Sequence, residues 1–302
     1  MSTSYRYRSF FWPGVLILVG VIALLANSGV IAPDRLYQLF DLWPLVLVVI
    51  GLELIIRRGI PGVGGDLAAA LVVLLAIGGA LAYVAVAPNP TATRTFDASS
   101  QVGGIGQGNL QIDAGAATIT ITGAGDLGTD LYRAHIEYSG NKPEVTLDSS
   151  NGNLKITQSN TDSLTFFRDR KFTLDLKLNT DIPWTVVENS GATTDKLDFS
   201  EVQVGSIVMS TGASHDDITL GPASGIVPVT INGGALTVNV HRPSGLAASI
   251  NVSGGAVSLN ADGKQSHAIG HLSYATADFA GANDGYRIEV NGGACTVTLD
   301  QA

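Results

Sequence analysis

Histidine and aspartate residues in two places have the clearest chemical potential. His215-Asp216-Asp217 combines side chains that ligate metals with carboxylates that could act on a polysaccharide. Along a strand, alternate side chains point to opposite faces, so His215 and Asp217 share one face and Asp216 takes the other. Because no third ligand is evident nearby, we favour a solvated bulge over a metal site.

The other candidate motifs are weaker. His267 and His271 have the spacing of helical metal ligands, but Gly270 between them and the loop-like composition argue against a helix. The glycines of residues 103–108 lack the lysine of a phosphate-binding loop. Cys295 is the only cysteine, which excludes an intramolecular disulfide. We therefore assign no catalytic, cofactor or metal residues and predict that the protein is not an enzyme.

Charge divides the chain into two parts. Residues 1–90 carry five arginines and four acidic residues, which leaves 12 of the 17 basic and 22 of the 26 acidic residues in 91–302. A domain with this excess of acid has no basic footprint for nucleic acid. We expect no nucleic-acid partner.

Residues 1–90 read as a membrane domain. Apolar runs predict helices at about 10–27, 42–57 and 66–87, of which the last is long enough to span a bilayer. The arginine pairs at 6 and 8 and at 57 and 58 mark the cytoplasmic side. This predicts a multi-pass protein of the cytoplasmic membrane, with its N-terminus inside and its C-terminal domain extracytoplasmic. The two shorter runs either span the bilayer or form a re-entrant hairpin.

A repeated motif opens the first two runs. Trp12-Pro13 and Trp43-Pro44 each precede a similar aliphatic stretch. Proline suits a first helical turn and tryptophan suits a membrane interface. This doubled hairpin resembles the membrane region of LiaI/LiaF-type bacterial envelope-stress proteins.

A second repeat organises the soluble part. An alanine preceded by glycine recurs at 116, 192, 213, 235, 256 and 294, and the last five copies are 21, 22, 21 and 38 residues apart. Aliphatic residues stand four and six positions before it, and a small polar residue stands three before it; Glu188 departs from this pattern. We interpret the motif as a structural corner formed by Gly115, Gly191, Gly212, Gly234, Gly255, Gly293, Asn189, Asn232 and Asn291.

The corners are flanked by residues with a period of two, which is typical of strands. Aliphatic residues fill positions three and five after most corner alanines; after Ala192 and Ala213 we infer a delay of two residues. A period near 21 residues is the mark of a solenoid. The predicted fold class is N-terminal transmembrane α-helices followed by an all-β domain, a single-stranded β-helix (β-solenoid) of ~21-residue coils.

The domain boundaries follow from these patterns. We predict a linker at 91–108, an irregular β region opening the solenoid at 109–180, and solenoid repeats at 181–302 with an inserted loop at 262–285. The Gly-Gly-Ala corners resemble the C-terminal β-domain of LiaF-like proteins and the wider toastrack group.

The resemblance implies a non-enzymatic, membrane-anchored protein that senses or regulates cell-envelope stress through contacts. The expected partners are the lipid bilayer and a membrane sensor kinase or another envelope protein, with self-association also open. One alternative is a surface adhesion or assembly scaffold, since strand edges can associate. A more remote alternative is a β-helix enzyme that acts on polysaccharide.

Overall fold

This computed structural model describes residues 93–158 and 171–302, together with scattered residues between 20 and 79. All described residues between 20 and 79 are α-helical. Among the described residues, no helix is both long and apolar enough to cross a membrane. The interface residues Trp12, Pro13, Trp43 and Pro44, and most of the predicted helices 10–27, 42–57 and 66–87, lie outside the described residues.

The chain divides into two compact units, and the strands belong to the second, Ala92–Thr161 with Arg170–Ala302. Its described part forms one 13-stranded sheet. In chain order the strands are β1 Arg94–Gln101, β2 Gly108–Ala124, β3 Asp130–Tyr138, β4 Glu144–Asp148, β5 Asn153–Thr157, β6 Phe172–Asn179, β7 Trp184–Asp198, β8 Val204–Ser210, β9 Ala213–Thr219, β10 Ile226–Arg242, β11 Ala247–Ala261, β12 Lys264–Ala275 and β13 Gly285–Gln301.

The centre of the sheet is a parallel stack of bent rungs. A rung is one long strand, or two short strands, with a Gly-Ala corner near its middle. In spatial order the rungs are β5 with β6, then β2, β7, β8 with β9, β10, β13 and β11. The corners align, since Ala116, Ala192, Ala213, Ala235 and Ala294 are successive partners in register.

The order of the last rungs departs from chain order. In a simple solenoid, successive coils stack next to one another, but β13 lies between β10 and β11 and is parallel to both. Ala294 therefore separates Ala235 from Ala256. The reason is that β12 runs antiparallel along the outer edge of β11, and the chain then returns to fill the gap next to β10.

Antiparallel strands close both ends of the stack. At one end β3 and β4 pair with β6 and β5, and β1 pairs with β3; at the other end β12 pairs with β11. Two sequence predictions are corrected here. The predicted linker 91–108 contains the paired strand β1, and the predicted loop 262–285 contains β12. Both segments satisfy their backbone groups by pairing at an edge, which composition does not reveal.

Alternating side chains build the core. On each rung, aliphatic residues before and after the corner point inward, as Ile112, Ile119 and Ile121 do on β2. Trp184 and Tyr286 are the largest buried side chains. Their polar atoms are satisfied, since Trp184 donates to the Asn179 carbonyl at 2.9 Å and Tyr286 donates to the Gly221 carbonyl at 2.9 Å.

The corner glycines are explained by close stacking. A Cβ on Gly234 would lie 2.7 Å from the Gly212 carbonyl oxygen, and one on Gly212 would lie 2.5 Å from that of Gly191. No corner glycine has a positive φ. A tight turn that needs a positive φ is therefore not the reason for glycine at these corners. Glycine is required because neighbouring backbones approach too closely for a side chain.

Candidate functional site

Two adjacent rungs have a polar interior. Beside the corner, the interior positions of β2 and β10 are apolar, but on β7 they include Glu188, Thr193 and Asp195, and on β9 they include Ser214 and Asp216. The three carboxyl side chains are at most 1% exposed. Thr211, between β8 and β9, adds a buried hydroxyl. We call this set, with the half-buried Ser190, the carboxyl cluster.

Register shows how the carboxyls enter the core. Asp195 pairs with Ile119 on one side and Asp216 on the other, and Asp216 in turn pairs with Val238. The aspartates therefore occupy the interior position that is aliphatic in the flanking rungs. The predicted two-residue delay after Ala192 and Ala213 is wrong, because both rungs stay in register through Leu197 and Ile218.

Few hydrogen bonds support the buried carboxyls. Ser214 Oγ donates to Asp216 Oδ2 at 2.8 Å, and Ser190 Oγ donates to Glu188 Oε1 at 2.8 Å. Among the described residues, both carboxyl oxygens of Asp195 and Oδ1 of Asp216 lack a partner in good hydrogen-bonding geometry, although the side chains of Thr193 and Asp216 lie close enough to Asp195 to influence its pKa. The Thr193 and Thr211 hydroxyls are likewise unpaired. An unpaired buried carboxylate is costly, so this environment favours the neutral acid.

The electrostatics of the cluster agree with that conclusion. Burial, followed by the charge of Glu188, raises the pKa of Asp195 to about 9. Burial raises the pKa of Glu188 to about 7 and also raises the pKa of Asp216. Desolvation is the largest influence on the pKa of all three groups, and no basic side chain in the described part of the chain is buried beside them.

The predicted motif His215-Asp216-Asp217 is split by strand alternation as expected. His215 is exposed and Asp217 partly exposed on the outer face, whereas Asp216 is fully buried. The predicted solvated bulge is therefore wrong for Asp216, which lies in a regular strand. Since Asp216 cannot reach the surface, it cannot act on a polysaccharide in this conformation.

The outer face brings Asp217 to a histidine that the sequence analysis did not single out. His241 Nε2 lies 3.1 Å from Asp217 Oδ1, and its Nδ1 contacts Asp300 Oδ1. The three residues come from β9, β10 and β13, so only the stacking order assembles them. No group of three or more histidine, cysteine or acidic residues among the described residues has the arrangement of a metal site.

The small polar residues of the corners form short ladders on the surface. Asn189 donates to Asp113 at 3.0 Å, and Asn291 donates to Asn232 at 3.1 Å. Between these pairs stands Ser210, the register partner of both Asn189 and Asn232. The corner residues thus link neighbouring rungs.

A shallow groove of about 540 Å³ runs along the corner side of the stack. Its lining includes the corner alanines and, from β6, Phe172 and Thr173. Thr193 and Ser214 also line it, so the groove lies over the carboxyl cluster.

His267 and His271 both lie on β12, in a strand rather than a helix. His271 Nδ1 lies 3.2 Å from Ser253 Oγ. The same strand is held by a network that the sequence did not suggest. Arg242, only 2% exposed, contacts Asp262 at 2.8 Å, and the Tyr274 hydroxyl donates to the same Asp262 oxygen at 2.8 Å.

The carboxyl cluster also went unpredicted, although a signal for it exists. Counting three residues from each corner alanine gives Asp195 and Asp216 where the other rungs have Ile119, Val238, Leu259 and Val297. Glu188 breaks the aliphatic pattern before its corner in the same way. Because a solenoid interior is expected to be apolar, the two aspartates resemble an insertion in the sequence.

The folded unit is a parallel β stack of repeated corners, and this architecture is matched by known families. Residues 88–241, just over half of the chain, match the N-terminal domain of toast_rack, DUF2154. The chain therefore belongs to the toast-rack family. Residues 10–55 match the LiaI-LiaF-like transmembrane region, which supplies a membrane-anchoring segment. The predicted LiaF-like, toastrack relationship is confirmed.

A solved structure shares this fold. A proposed cell adhesion protein from Clostridium sporogenes ATCC 15579 aligns with a TM-score of 0.61 and 18% identity, over 70% of this chain and 100% of that chain. A proposed adhesin from Bacteroides fragilis NCTC 9343 aligns over 70% of this chain and 98% of that chain, with a TM-score of 0.21 and 7% identity. No curated protein matches this sequence.

Proposed function

We propose that this protein is a membrane-anchored, non-enzymatic β-solenoid that senses or regulates cell-envelope stress through contacts with envelope components or membrane proteins. The observation that carries the proposal is the joint match of residues 10–55 to a LiaI-LiaF-like transmembrane region and of residues 88–241 to a toast-rack domain. The parallel, in-register rungs support the solenoid part of it.

The location of the β domain is part of the proposal. The arginine pairs at 6 and 8 and at 57 and 58 favour a cytoplasmic N-terminus, and a third span at 66–87 would carry the β domain outward. The partners would be the lipid bilayer and a sensor kinase or another envelope protein.

In-membrane crosslinking of the full-length protein tests the proposal. A photo-crosslinker is placed on the outer face, at the exposed position Thr194, and adducts are identified by mass spectrometry. The proposal expects a membrane or envelope protein at this position, and a changed response to wall-active antibiotics when the gene is deleted. An unchanged antibiotic response would count against the stress role.

A surface adhesion or assembly scaffold is the second candidate. It is favoured by the fold shared with the Clostridium sporogenes protein and by the edge strand β12, which has one charged residue, Lys264, and a 90% exposed Ile269. Charges on edge strands normally prevent edge-to-edge pairing. This candidate would be favoured if the purified protein formed ordered oligomers and the Ile269→Lys variant did not.

A further inference from the structure

The carboxyl cluster is confined to two neighbouring rungs, and the interior positions that flank it on β2 and β10 are apolar. On the β2 side the register partners of Glu188 and Asp195 are Ile112 and Ile119, and on the β10 side the partners of Ser214 and Asp216 are Leu236 and Val238. Met209 is the partner of Glu188 on β8. None of these neighbours can neutralise a carboxylate, so the negative charge of the cluster can be removed only by protonation of its own carboxyls.

The charged groups around the cluster are few. Glu188, Asp195 and Asp216 act on one another, and all three are acidic. The basic residue that acts on Asp216 is His215, whose side chain lies on the exposed outer face. Lys196, the next residue after Asp195, is also exposed. No basic side chain among the described residues is buried beside the three carboxyls.

The unpaired oxygens set the preferred state of the cluster. A protonated Asp195 or Asp216 has an O–H to donate to a neighbouring carboxyl or hydroxyl, whereas an ionised one has acceptors alone. Three unpaired carboxyl oxygens and two unpaired hydroxyls share this interior. Ionising these carboxyls would place like charges side by side on adjacent strands of the core.

We propose that the interior of the β7 and β8–β9 rungs is a proton-binding site, which holds the stack closed when Glu188, Asp195 and Asp216 are protonated and loosens it when they ionise. The site binds protons, and the part of the fold that responds to them is the pair of rungs at residues 184–219. The groove is lined by Thr193 and Ser214, so it brings solvent next to the cluster. This property does not depend on the proposed stress role.

The direction of the response follows from linkage. The folded protein holds these protons above the ordinary pKa range of aspartate and glutamate, so the folded state binds more protons than the unfolded one. The stabilisation is complete below about pH 4 and is lost as the pH rises through 7 and then 9, near the raised values of Glu188 and Asp195. Each ionising group changes the unfolding equilibrium by up to about tenfold per pH unit.

Urea unfolding of the full-length protein in detergent tests the proposal. Trp12→Phe and Trp43→Phe leave Trp184, at the start of β7, as the sole tryptophan reporter, since the chain has three tryptophans. We expect the unfolding constant to rise at least about tenfold between about pH 5.5 and about pH 8. Asp195→Asn with Asp216→Asn should remove most of that change. The matched control Glu289→Gln, exposed on β13, should retain it.

Hydrogen exchange of the unmodified chain keeps the test decisive if the double variant fails to fold. Corrected for intrinsic rates, protection of residues 184–219 should fall with rising pH more than that of β13. The exposed His135–Asp97 pair also weakens at high pH, but it lies between β3 and β1, outside these peptides. Equal changes in all strands, or none, would overturn the proposal. The proposal would also be overturned if millimolar calcium stabilised the unmodified chain at about pH 8 but did not stabilise the double variant. That result would indicate that the cluster binds a metal cation instead of protons.

Discussion

Asp195 on β7 and Asp216 on β9 are direct partners in parallel register, and both side chains point into the core. In the rungs on either side, the same interior position is held by Ile119 and Val238. The fold therefore accepts two stacked carboxyls where aliphatic packing is available. As a consequence, we expect the stability of the fold to depend on the protonation of these carboxyls.

Replacing both aspartates with valine should stabilise the protein at neutral to basic pH. Asp195→Val with Asp216→Val restores the apolar row and removes the desolvated carboxyls. We expect the free energy of unfolding at about pH 8 to rise by roughly 1–3 kcal/mol, measured by urea denaturation. Asp181→Val, on an exposed bend before β7, is the control and should have little effect. A less stable double variant would show that the carboxyls are satisfied in the fold.

A methyl group at a corner should disrupt the stack. Gly234→Ala would place a Cβ 2.7 Å from the Gly212 carbonyl oxygen, which is fixed backbone. We expect a loss of roughly 1–3 kcal/mol in thermal melts. Gly104→Ala is the matched control, because nothing lies within 4 Å of a Cβ there and its φ is not positive. Equal melting of the two variants would contradict the close-stacking account.

The buried Arg242 should hold the outer strand β12 in place. It contacts Asp262 at 2.8 Å and donates to the Leu246 carbonyl at 2.9 Å. Arg242→Met should cost roughly 1–3 kcal/mol and raise hydrogen exchange in residues 264–275, since Asp262 also accepts from Tyr274. Arg287→Met, exposed on β13, should change neither quantity. If β12 keeps its protection in Arg242→Met, the network does not hold the strand.

Cys295 should be unreactive in the folded protein. It is 3% exposed, and burial raises the pKa of its thiol, so little thiolate forms at neutral pH. Maleimide labelling should be slow in buffer and fast in urea. In a Cys295→Ser background, Thr296→Cys on the exposed face should label quickly without denaturant. Rapid native labelling of Cys295 would mean that β13 opens easily, in spite of its central place between β10 and β11.

Much of the rung architecture could be read from local patterns. The spacing of Gly-Ala corners identified Ala192, Ala213 and Ala235 as equivalent, and they are partners in register. This worked because each rung repeats the same steric problem, an alternating apolar face and a backbone too close for side chains at the corner. The resemblance to toastrack proteins rested on the same residues and is confirmed by the family match.

The sequence by itself determined that rungs would form and which residues would lie at their corners, because these are properties of each repeat. Only the tertiary structure decided the order of the rungs, with β13 between β10 and β11, because strand order depends on pairing between segments distant along the chain. It also decided that Asp195 and Asp216 are buried. A carboxyl alone favours water, and only the register imposed by the neighbouring rungs turns both side chains into the core.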